Sequence, residues 1–62
     1  MAIDSAQLSS LSTALDDLAK RVTDLADQLE GSTREDAAAD LYEVERHLVA
    51  AARRLKGVLD RA

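Results

Sequence analysis

Leu8, Leu11, Leu15, Leu18, Val22, Leu25 and Leu29 follow one another at alternating steps of three and four residues. This is the a/d pattern of a heptad repeat, and it sets every large apolar side chain of residues 8–29 on one stripe of a long helix. Ala37, Leu41, Val44, Leu48, Ala51, Leu55 and Val58 repeat the pattern in the second half of the chain. A second stripe runs beside that one: Ala38, Tyr42, Glu45, Val49, Ala52, Lys56 and Leu59. Most of its members are apolar or aromatic, so the apolar face of the second helix is wider than one neighbouring helix covers.

The ends of both helices are marked. Asp4 is placed to cap the first, with Gln7 three residues on completing a capping box and Ile3 and Leu8 forming a hydrophobic staple across the first turn. The helix is expected from about Ser5 to Glu30, stopping at Gly31, the residue best able to take the left-handed conformation after a helix end. Gly31-Ser32-Thr33 is the only turn signal. Ser32 and Glu35 have capping-box spacing, and Asp36 adds negative charge where the helix dipole favours it. The second helix is expected from about residue 34 to residue 60, passing through Gly57 because Val58 continues the seam beyond it. So short a connection makes the helices antiparallel neighbours.

The expected architecture is therefore all-α: residues 1–62 form one antiparallel two-helix hairpin that dimerises into a four-helix bundle. Sixty-two residues bury little surface alone, and a chain without cysteine has no disulfide to help. Ala14, Ala19 and Ala26 flank the first seam where long charged side chains would fence a two-stranded coiled coil. The two leucine-rich seams are expected to meet inside the hairpin. Ala38, Tyr42, Val49, Ala52 and Leu59 are then left for a second copy or a foreign partner. In length and layout the chain resembles the Rop family of small plasmid regulators, which implies a dimer of hairpins and RNA as a partner. It departs from that family on the first helix, where Asp16, Asp17, Asp24 and Asp27 face outward and no aromatic is present.

Composition narrows the chemistry. MAIDSAQLSS has neither a basic nor an apolar stretch of a targeting signal, and Leu48–Ala52 is the longest apolar run, far short of a membrane span. A cytoplasmic protein is expected. Six Arg against two Lys, with twelve Ala and no Asn, Phe or Pro, suggest a GC-rich bacterial genome. The net charge of −4 argues against general nucleic-acid binding. Its distribution is uneven, because residues 34–45 carry five acids and one base whereas residues 46–61 carry five bases and one acid.

Little points to catalysis, and no cofactor or metal is expected. The carboxylates of Asp16/Asp17, Asp24/Asp27 and Glu43/Glu45 fall on polar helical positions, where they lack the burial that acid–base work requires. Glu43 and His47 are the nearest approach to a metal-binding pair, with one histidine per chain. Ser5, Ser9, Ser10, Ser12 and Thr13 have no histidine nearby to activate a nucleophile. The expected function is a non-enzymatic protein-interaction module, a small adaptor or regulator. An alternative is a nucleic-acid-binding regulator using the basic end of the second helix, where Arg46, His47, Arg53, Arg54 and Arg61 cluster without aromatics for base stacking. A further alternative is a small-ligand or nucleotide sensor holding its ligand at the dimer interface with the same arginines.

Overall fold

The computed structural model describes residues 4–61. Two helices, α1 (Ser5–Leu29) and α2 (Glu35–Arg61), fold back on each other as an antiparallel hairpin about 50 Å long and 14 Å across. The Asp4 backbone is extended, and its carboxylate accepts the Gln7 N–H at 3.0 Å, satisfying one of the donors a helix start leaves open. The Ile3 staple lies outside the described residues.

At the other end of α1, Glu30 turns extended while its N–H still reaches the Ala26 carbonyl at 3.0 Å. Gly31 then takes φ +81°, where any side chain would be strained. Ser32 does not form the expected capping box with Glu35. The first regular residue of α2 is Glu35 itself, which makes Arg34 the capping residue, its carbonyl taking the Ala38 N–H at 3.2 Å. Ser32 ties the turn together instead. Its hydroxyl donates to the Leu29 carbonyl at 2.5 Å and accepts the Arg34 N–H at 3.0 Å. Glu35 and Asp36 occupy the first turn of α2 and Arg61 the last, both complementing the dipole. The helix passes through Gly57 unbroken.

The contact between the helices is made of small residues. Ala19, Ala26, Ala38 and Ala52 are the buried apolar side chains, and no large side chain is fully buried among the described residues. Alanines at these positions let two backbones approach closely along their length. On α1 they belong to a row that also contains Leu8, Ser12, Leu15, Val22 and Leu29, all half-buried. That row again steps by three and four. It keeps Leu8, Leu15, Val22 and Leu29 of the leucine seam and exchanges Leu11, Leu18 and Leu25 for Ser12, Ala19 and Ala26.

Candidate interaction face

Moving the contact line onto the alanines turns one row of each seam, Leu11, Leu18 and Leu25 on α1 and Val44 on α2, away from the neighbouring helix. Leu11, Leu18 and Leu25 are 51, 44 and 47% exposed, and Val44 on α2 is 45% exposed. A helix advances about 100° per residue, so Leu18 and Leu25 lie on one flank of the Ala19–Ala26 line, and Asp16, Lys20, Thr23 and Asp27 lie on the other. Likewise Val44, Leu48 and Leu55 lie on one flank of the Ala38–Ala52 line of α2, opposite Tyr42, Val49 and Arg53.

Tyr42 reveals how the flanks pair. Its hydroxyl reaches the carboxylates of Asp27 and Glu30, the latter at 2.6 Å, so the Tyr42 and Asp27 flanks share one side of the hairpin. The leucine flanks therefore share the other. The hairpin has an apolar side, on which Leu11, Leu18, Leu25 and Val44 are exposed, and a polar side. Leu8, Leu15, Val22, Leu29, Leu41, Leu48, Leu55 and Val58 are half-buried along the apolar side.

The polar side holds two open grooves of about 330 and 230 Å³. Asp16, Lys20, Thr23, Asp24 and Glu45 line the first, with Ala19 and Val49 as its apolar floor. Ser12, Asp16, Arg53 and Lys56 line the second beside Val49 and Ala52. Three acids and one base line the first groove, and one acid and two bases the second, so both signs are present in each. Tyr42 stands nearer the turn. One phenolic hydrogen faces two carboxylates there, and these acceptors, Asp27 first and Glu30 second, push the phenol well above its ordinary range.

The residues expected at an outer interface separate. Ala38 and Ala52 are 2 and 6% exposed and lie between the helices, so they are withdrawn from any second copy. Tyr42 and Leu59 are half-buried, and Val49 is exposed on the polar side. Of the basic cluster, Arg46 is held by Glu43 at 2.9 Å, and His47 Nε2 stands 4.0 Å from the same carboxylate. Arg53, Arg54, Lys56 and Arg61 are exposed, and among the described residues none has a carboxylate within ion-pair distance. His, Asp and Glu side chains form no group suited to a metal ion among the described residues, and no described helix is long and apolar enough to cross a membrane.

Leu11, Leu18, Leu25 and Val44 are the residues that sequence periodicity placed inside rather than outside. A readable signal was available: Ala19 and Ala26 are one heptad apart, and Ala38 and Ala52 two heptads apart. Small residues at that spacing mark where helices touch most closely. Comparison with protein-family models, with characterised proteins and with solved structures returns no match. Function rests on the physical chemistry of the two faces.

Proposed function

We propose that the protein is a non-enzymatic interaction module, an adaptor or regulator, whose two copies close their apolar sides on each other as a four-helix bundle. The observation that carries this is the row Leu11, Leu18 and Leu25, open to solvent at seven-residue steps beside Val44. A row of leucines at heptad spacing is a set of knobs without holes.

Surface area supports the same reading. The chain exposes 4806 Å², whereas a compact monomer of its mass exposes about 3900 Å². The excess, about 900 Å², is close to the roughly 800 Å² each partner contributes to a standard interface. A hairpin whose buried side chains, among the described residues, are four alanines also lacks the core that a chain of this size needs for independent stability. Shared leucines supply it. The product of such a fold is its outer surface, here the mixed-charge grooves and the basic end of α2, and helix-face recognition is the mechanism by which it would engage another protein.

The experiment is a mass measurement across a wide range of concentration. Twice the chain mass of 6.7 kDa is expected, and Leu18→Glu is expected to abolish the larger species. A well-folded single chain at every concentration overturns the proposal. Binding of RNA or DNA that weakens steeply with salt and with Arg53→Ala plus Arg54→Ala would favour the nucleic-acid reading instead.

A further inference from the structure

We infer that the two copies meet with α2 lying antiparallel on α2 of the partner, which puts the two turns at opposite ends of the bundle. This rests on the reading of the leucine face as a self-association surface and adds its orientation. A two-fold axis lying in the plane of that face can run across the helices or along them. Running across, it stacks each helix on its own copy. Running along, it stacks α1 on the partner's α2 and leaves both turns at one end.

Charge distinguishes the two. α2 is split, with Glu35, Asp36, Asp40 and Glu43 in its first half and Arg53, Arg54, Lys56 and Arg61 in its second. Leu48 is the midpoint of α2 (Glu35–Arg61) and lies on the apolar side. An antiparallel pair centred there sets Leu48 against the partner's Leu48, Leu41 against the partner's Leu55 and Val44 against the partner's Ala51. Outside this seam, at the edge away from α1, lie Asp36, Asp40, His47, Arg54 and Arg61. Asp40 then faces the partner's Arg54 and Asp36 faces the partner's Arg61, each pair occurring twice. Among the described residues, Arg54 and Arg61 have no carboxylate of their own chain within ion-pair distance, and the dimer brings Asp40 and Asp36 to them. The other axis brings the Asp24–Glu30 end of α1 to the acidic start of the partner's α2, and sets Arg61 beside the uncharged stretch from Ser5 to Thr13. Acidic ends meet there, and the nearest acids to Arg61 and Arg54 are Asp4 and Asp17 at the two margins of that stretch, each about a turn out of register.

The chain has no cysteine, so Thr33→Cys in the turn accepts a single spin label. In the proposed bundle the two labels stand apart by most of the 50 Å length of the molecule. With both turns at one end they lie within about 20 Å, roughly two helix spacings. The mass of the labelled sample is measured alongside. A dimer with the long separation supports the orientation. A dimer with the short one overturns it while sparing self-association, and a single chain overturns both. Charge exchange gives an independent arm: Asp40→Arg is expected to weaken dimerisation about tenfold, two symmetric surface pairs being turned into repulsions, and Asp40→Arg with Arg54→Asp to restore it. Failure of the double variant to restore it overturns the orientation.

Discussion

Tyr42 is the one aromatic residue of the chain, and its hydroxyl faces two carboxylates of α1 with one hydrogen to give. Ionising the phenol would set a third negative charge beside Asp27 and Glu30, which is why its pKa is raised. The sign for stability follows. A group whose pKa is higher folded than unfolded stabilises the fold fully below its unfolded value, about 10 for tyrosine, and that contribution is lost as pH rises through the folded value. Ultraviolet titration of the phenol should therefore lag well behind free tyrosine. Wild-type stability should fall above about pH 10 more steeply than that of Tyr42→Phe, and the difference isolates the tyrosine. A phenol titrating like the free amino acid would dissolve the Tyr42 link. The sequence marks Tyr42 as an interface residue, but its partners were not legible there, because Asp27 and Glu30 come into reach only once the rotation of the helices is known.

At the level of elements the chain reads plainly. Asp4 and Gly31 mark the ends of α1 almost to the residue, because each has a specific local job, and the seam that Val58 continues carries α2 through Gly57. The two glycines make opposite predictions. Gly31 holds φ +81° with nothing within 4 Å of where a Cβ would stand, so the cost of Gly31→Ala is purely conformational, about 1–2 kcal/mol. Gly57 sits in regular helix with equally open space around it, so Gly57→Ala should stabilise by about 0.5–1 kcal/mol through lost backbone freedom in the unfolded chain. Thermal unfolding of the two variants checks both signs. A neutral Gly31→Ala would mean the turn is remade by another route, and a destabilising Gly57→Ala would place a neighbour against that side of α2.

For the whole molecule, the sequence announces how much apolar surface there is but not which of it faces inward. Two stripes on α2 and two candidate seams on α1 both fit a three-four rhythm, and periodicity alone is indifferent to a rotation of one residue. Packing distance decides. Alanines permit a closer approach than leucines, so the hairpin closes on Ala19, Ala26, Ala38 and Ala52 and leaves Leu11, Leu18, Leu25 and Val44 exposed on one side. If a second copy covers that side, folding and association are a single equilibrium, and the unfolding temperature depends on concentration. Two 62-residue chains unfold with an entropy of about 0.26 kcal/mol per kelvin, and a tenfold change in concentration is about 1.4 kcal/mol, so the midpoint should rise by about 5 °C for each tenfold increase. Leu18→Glu carries the argument further. Leu18 is 44% exposed in the hairpin, so an autonomous hairpin would tolerate a charge there at little cost. In a bundle that carboxylate would be buried between four helices without a partner, and the variant should lose both its concentration dependence and most of its helicity. A midpoint that stays fixed with concentration in the wild type, together with a helical Leu18→Glu, would leave the alanine contacts as the sole support of the fold.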